Sequence, residues 1–249
     1  PIARHRSREV LLYRQGGINV IVNAHGGGKG AGGPQDKPVI AAVALRVRDA
    51  AAAYGRALER GAWAVPIRVE VMELNIPAIH GAGGSRIYFV DRYKEFSIYD
   101  VDFVPIPSVE QRPAATAGIH FFGIVQYIGP ERSYDWIEFY RELIGAELIP
   151  DEQRFGIMPK GKLLRTPALE ADKRFMIQLI EPDLNVMDAD ERLQRIGLGV
   201  PDVPAAVQAL RALGVEFVES PAAHSGARGA ISKTYLGSVV FELVHDERA

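Results

Sequence analysis

Residues 43–65 read VALRVRDAAAAYGRALERGAWAV, and residues 196–218 read IGLGVPDVPAAVQALRALGVEFV. Leu45, Val47, Asp49 and Gly61 match Leu198, Val200, Asp202 and Gly214, each pair 153 positions apart with no insertion. Both stretches carry the same local instructions. An apolar run forms a strand, an aspartate caps the helix that follows, and a glycine stops it. The unit of strand, helix and further strands therefore occurs twice. Gly118 to Val125, with a helix over Tyr134 to Ile144 and Gly145 as its stop, reads as a third copy. Val10–Gln15 and Ile18–Asn23, joined by the hairpin signal Gly16-Gly17, read as the tail of a fourth. Its first strand and helix are not in the sequence. Each copy buries one sheet face, so copies must pair. The expected fold is α+β: paired βαβββ modules in two half-barrel domains, 1–110 and 111–249, with the first module incomplete. The proline-bearing stretch Pro105 to Pro113 is the expected linker.

Around these anchors, strands are expected over Val39 to Val47, Ala62 to Val65, Ile67 to Val71, Ile87 to Asp91 and Ser97 to Phe103. Further strands are expected over Arg154 to Ile157, Leu163 to Thr166, Arg174 to Ile180, Gln194 to Val200, Val215 to Val218, Ala230 to Tyr235 and Val239 to Val244. Helices are expected over Asp49 to Arg60 and Val203 to Leu213, and Ser133 or Asp135 is the expected cap of the helix between them. Trp136, Phe139, Tyr140 and Leu143 recur at helical spacing and make a core-facing stripe. His25 to Gly33 is glycine-rich but runs into prolines rather than Lys-Ser/Thr and a helix, so it reads as a connection and not a phosphate cradle.

Composition narrows the function. A net charge of −2 over 249 residues gives no basic face for nucleic acid and no attraction to an anionic membrane. With no cysteine there is no disulfide frame, thiolate ligand or cysteine nucleophile, which fits a reducing cytoplasm. No apolar run has the length of a membrane span, and no apolar stretch behind Arg4-His5-Arg6 reads as a signal peptide. Pro1 in place of an initiator Met reads as a start inside a longer chain. A homo-oligomer acting on a small molecule is expected.

The chemistry-bearing residues lie on apolar strands of the second half. Glu242 stands within Val239 to Val244, where a carboxylate is costly to bury unless a metal or an arginine compensates it. His120 opens another apolar strand, and a histidine with a carboxylate on two buried strands is a frequent start of a metal site. The repeat places Gln178 and Arg195 at the matching positions of the sister strands. In the first half the equivalents are Ala42 and Val90, which hold no metal. His224 and His245 are reserve ligands. His224 reads as a loop residue, and His245, three past Glu242, faces the opposite side of an extended strand. His80 and His25 read as loop residues of the first half.

The stretches HRSREVLLYRQGGINVIVNA (5–24), MELNIPAIHGAGGSRIYFVDRY (72–93), SIYDVDFVPI (97–106), GIHFFGIVQYIG (118–129) with WIEFYRELIGAE (136–147), and GSVVFELVHD (237–246) carry a resemblance. The chain resembles the 4-hydroxyphenylpyruvate dioxygenase group of the vicinal oxygen chelate superfamily. That resemblance implies Fe(II), or another divalent metal, held by two histidines and a glutamate in the second domain. It also implies a 2-oxo acid substrate that chelates the iron, supplies electrons by decarboxylation and is hydroxylated on its aromatic ring. The first family histidine falls on His120 and the glutamate on Glu242, but the second histidine falls on Arg195, which has no lone pair for a metal. A C-terminal helix beyond Glu242 is also implied, whereas the sequence given stops at Ala249.

Three readings stay open on these residues. One is an iron-dependent dioxygenase with His120, Glu242 and Arg195 as its catalytic groups and His120, Glu242 and Gln178 as its metal ligands. Another is a metal-dependent lyase or isomerase of the same superfamily. The last is a metal-free small-molecule binding module. Two geometric expectations follow: His120 and Glu242 converge within metal-bridging reach, and Arg195 comes within salt-bridge distance of Glu242.

Overall fold

A computed structural model describes residues 1–24, 37–66, 74–93, 96–152, 161–167, 174–182, 190–220, 223–235 and 238–247. The chain packs as two compact units, 1–35 with 41–114 and 36–40 with 115–249. No helix among the described residues is long and apolar enough to cross a membrane.

The first unit holds β1 (Ala3–His5), β2 (Val10–Gln15), β3 (Ile18–Asn23), β4 (Ala42–Arg46), α1 (Ala50–Glu59), β5 (Ala78–His80), β6 (Arg86–Val90), α2 (Ile98–Asp102) and β7 (Phe103–Pro105). Strands β3-β2-β1-β7 make one sheet and β4-β6-β5 another. The expected hairpin is present with its turn at Gly16, whose φ of 53° suits a residue without Cβ. Asp49 caps α1 by accepting from the Ala52 amide at 2.8 Å, and Gly61 follows the helix at φ 85°.

Two expectations need correction here. Ser97 to Phe103 is not a strand. Ser97 and Asp100 form a capping box at the start of the five-residue helix α2, and both the amide and the hydroxyl of Ser97 donate to the Asp100 carboxylate. The stretch Pro105 to Pro113 is not a free linker. Gln111 donates through Nε2 to the Ile2 carbonyl at 3.1 Å and accepts from Arg14 through its own carbonyl at 3.2 Å, so this segment packs onto the first unit. His25 to Gly33, Ile67 to Val71 and Arg154 to Ile157 lie outside the described residues.

The second unit holds β8 (His120–Tyr127), α3 (Ser133–Ile144), β9 (Glu147–Leu148), β10 (Lys162–Arg165), β11 (Met176–Ile180), β12 (Arg192–Val200), α4 (Val203–Ala212), β13 (Gly229–Ile231) and β14 (Val240–His245). Its seven-stranded sheet runs β13-β14-β12-β8-β11-β10-β9. The repeat is visible in the pairing: the first strand of each copy lies parallel to its last, as β4 with β6, β8 with β11 and β12 with β14. The two copies of the second unit join through the antiparallel pair β8–β12. Asp202 repeats the Asp49 cap by accepting from the Ala205 amide at 2.9 Å, and Gly214 repeats Gly61 at φ 89°. Val215 to Val218 contributes only a bridge from Phe217 to Ser232, and Ala230 to Tyr235 shortens to β13 with a bridge at Tyr235.

Helix α3 begins differently from the other copies. Neither Ser133 nor Asp135 is its N-cap; Arg132 occupies that place without a side-chain cap bond. Instead, the amide and hydroxyl of Ser133 donate to Glu181 at 3.0 and 2.6 Å. Those bonds, the hydroxyl's foremost, hold the Glu181 carboxyl below its ordinary range. Glu191 gathers the Gly129 amide, the Arg132 guanidinium and the Trp136 indole N–H, all within 3.1 Å. Trp136, Ile137 and Tyr140 are the buried face of α3, and Gly145 ends it in left-handed backbone.

Tyr140 donates to Gln126 Oε1 at 2.6 Å inside the core, where burial first and Glu191 second push its phenol well above the ordinary value. Gln126 is fully buried, and its Nε2 has no hydrogen-bond partner among the described residues. Tyr140→Phe would orphan the amide oxygen as well. A loss of about 1–3 kcal/mol is expected, read as a lower urea midpoint with unchanged helix content.

Candidate functional site on the sheet of the second unit

Strand alternation decides which residues share a face. Gln126 takes the Tyr140 hydroxyl, so that parity of β8 faces α3. Val125 and Gly123 therefore face away from the helix. Across the strands, Gln178, Val125, Arg195 and Val240 form one row. Met176, Gly123, Gly197 and Glu242 form the next. A bulge at this point makes Phe122 the extra residue of β8 and brings His120 opposite Gly199, beside Val244. Without it, His120 would point to the α3 side. The bulge thus puts His120, Glu242, Arg195 and Gln178 on one face.

Arg195 and Glu242 meet there. Arg195 Nε lies 3.3 Å from Glu242 Oε2, with side chains 4% and 5% exposed. The contact is an ion pair by distance, but the geometry is not that of a hydrogen bond. Nε and Nη2 of Arg195 have no hydrogen-bond partner among the described residues. The attraction is thus coulombic, and the guanidinium keeps unused directional donors.

His120 closes elsewhere. Its Nε2 is 3.0 Å from Asp246 Oδ2, and its Nδ1 is 3.2 Å from the Gly118 carbonyl. Asp246 lies beyond the Val244 row, on the far side of His120 from Glu242. The imidazole lies against the Gly199 backbone so closely that any Cβ there would overlap the ring. His120 and Glu242 therefore share a face two residues apart along the strands, with His120 turned to Asp246. Gln178 is half-buried in the Arg195 row.

The other histidines stay apart. His245 is exposed at the end of β14, and His224 is exposed in its loop. His80 ends strand β5, not a glycine-rich loop as expected, and its amide donates to Trp63. His25 lies outside the described residues. Ala42 pairs with Arg86, and Val90 with Arg46, on strands β4 and β6. Asp246 is the residue that sequence reasoning missed. Its signal was parity: it stands four positions after Glu242 and so keeps the same side of an extended strand.

As arranged, the donors do not fit a metal ion. Both nitrogens of His120 face oxygen atoms, Asp246 Oδ2 and the Gly118 carbonyl, so the imidazole is engaged away from Glu242. Glu242 is held beside a fixed positive charge. Among the described residues, no three His, Cys, Asp or Glu side chains stand close enough to hold a metal.

The second unit pairs two copies of the strand-helix-strands module through a bulged antiparallel strand pair. A triple mutant of 4-hydroxymandelate synthase from Streptomyces coelicolor shares this fold, with a TM-score of 0.70 at 16% identity over 99% of this chain and 85% of that one. Residues 1–104 match the family model of the N-terminal part of hydroxyphenylpyruvate dioxygenase. Hemolysin VllY of Vibrio vulnificus is 35% identical over 234 residues, 88% of this chain and 64% of that protein. The 4-hydroxyphenylpyruvate dioxygenase of Pseudomonas sp. (strain P.J. 874) is 32% identical over 233 residues, with the same coverage. The chain is similar to 4-hydroxyphenylpyruvate dioxygenases over 88% of its length and has the vicinal oxygen chelate fold. It spans 64% of the length of these two relatives.

Proposed function

We propose that the second unit binds an aromatic 2-oxo acid, or a related small carboxylate, on the face that carries Arg195. One observation carries this reading. Arg195 is buried to 4% exposure, and its Nη2 has no hydrogen-bond partner among the described residues. Leaving such a donor unused is costly, and a carboxylate approaching the guanidinium would take it up. The relatives support the ligand class, since 4-hydroxyphenylpyruvate is an aromatic 2-oxo acid. Gln178, in the same cross-strand row, would contact the oxo oxygen of such a ligand.

A second reading is the iron-dependent, ring-hydroxylating dioxygenase, on His120, Glu242 and Gln178 as metal ligands. The sequence match to dioxygenases over 88% of the chain favours it. It requires Glu242 to leave Arg195 and His120 to leave Asp246.

Calorimetric titration separates ligand classes without any mutation. Phenylpyruvate and 4-hydroxyphenylpyruvate are expected to bind, and 2-phenylethanol, which lacks the acid, is not. Arg195→Gln should weaken acid binding by about tenfold or more. Equal binding of acid and alcohol by the parent would remove the basis of the proposal.

A further inference from the structure

The residues that the fold class would use for a metal are committed to one another here, and the commitment has a direction. Arg195 stands where the repeat and the family resemblance expect a histidine, one row from Glu242. Its positive charge lies 3.3 Å from the Glu242 carboxylate. Both side chains are almost wholly buried, so water screens neither of them. A divalent cation entering this place would meet the guanidinium at close range and would have to take Glu242 from it. His120 adds a second barrier. Its imidazole must leave Asp246, 3.0 Å from Nε2, to turn toward Glu242.

We infer that the buried Arg195–Glu242 ion pair takes the place of a metal ion on this face, and that the second unit folds and holds its ligand without one. The guanidinium is a tethered cation: it neutralises Glu242 as a metal would, and it offers the ligand directional N–H donors instead of open coordination positions. This inference rests on the proposed acid-binding role for the nature of the ligand, but not for the exclusion of metal.

The test is an anaerobic titration of the whole chain, first freed of metal with a chelator, with Fe(II) and with Co(II) as a spectroscopic probe. The parent is expected to show no stoichiometric binding and no cobalt d–d bands. Arg195→His exchanges the repelling charge for an imidazole lone pair and should bind Co(II) more than about tenfold tighter than the parent. Glu242→Gln placed on top of Arg195→His should abolish that gain. Should Arg195→His fail to fold, the parent and Glu242→Gln alone still decide. Stoichiometric binding by the parent that Glu242→Gln removes would overturn the inference.

Acid titrations run with chelator present keep the two proposals apart. Acid binding that needs added metal overturns this inference and leaves the acid-binding reading standing. A parent that binds neither acid nor metal overturns the acid-binding reading and leaves the metal exclusion standing.

Discussion

Removing one partner of the Arg195–Glu242 pair, as Arg195→Met or Glu242→Leu, should destabilise the second unit by about 3–5 kcal/mol. The pair is 4% and 5% exposed, and at 3.3 Å its attraction at an effective dielectric near 20 is roughly 5 kcal/mol. That attraction offsets the cost of taking two charges out of water. Glu242→Leu leaves the Arg195 guanidinium buried without its carboxylate, and Arg195→Met leaves Glu242 buried without this cation. The double change Arg195→Met with Glu242→Leu removes both desolvation costs and fills a similar volume with apolar atoms. It should be close to the parent in stability or above it. The chain has two tryptophans, Trp136 in α3 and the exposed Trp63 in the first unit. Urea unfolding followed by Trp136 fluorescence in a Trp63→Phe background therefore reports on the second unit. A double variant as unstable as the sum of the singles would show that the two charges are not coupled.

Gly123→Ala should strongly destabilise the same sheet. Gly123 lies opposite Met176 on the neighbouring parallel strand. A Cβ at Gly123 would overlap the Met176 carbonyl oxygen and come within 2.9 Å of its carbonyl carbon. These are backbone atoms of a paired strand, so no rotamer change relieves the overlap. Strands β8 and β11 would have to separate where the bulge sets the face of His120. A loss of about 3 kcal/mol is expected. At roughly 2–4 °C per kcal/mol for a chain of this size, that is about 6–12 °C in the second unit's melting temperature. Gly197→Ala is the control. Its Cβ would meet the Gly123 carbonyl oxygen at 3.3 Å and the Phe122 ring at 3.5 Å, contacts that small shifts relieve. Equal losses in the two variants would mean that the β8–β11 approach is not the constraint.

Much of the fold was legible because its signals are local. The hairpin residues, the caps at Asp49 and Asp202, and the stops at Gly61, Gly145 and Gly214 act through groups within four residues of themselves. The 153-residue spacing of the repeat then implied that the two copies share one architecture, as the parallel pairs β4–β6 and β12–β14 show. Ser97 to Phe103 was misread because a five-residue helix has no room for helical periodicity, although Ser97 and Asp100 stood at capping-box spacing. The start of α3 was misread because Ser133 spends its hydroxyl on Glu181, 48 positions away.

The sequence by itself put His120, Gln178, Arg195 and Glu242 at matching positions of the repeat. The approach of Arg195 to Glu242 followed from the same logic, since a buried carboxylate draws the nearest cation. Tertiary structure alone decided what each group binds. A bulge at Phe122, which no local pattern announces, turns His120 onto the Arg195 face. Asp246, beyond the regular end of β14, then captures its Nε2. Alternation fixes a side, but the partner of a side chain depends on register between strands more than a hundred residues apart, and register is set only when those strands pack.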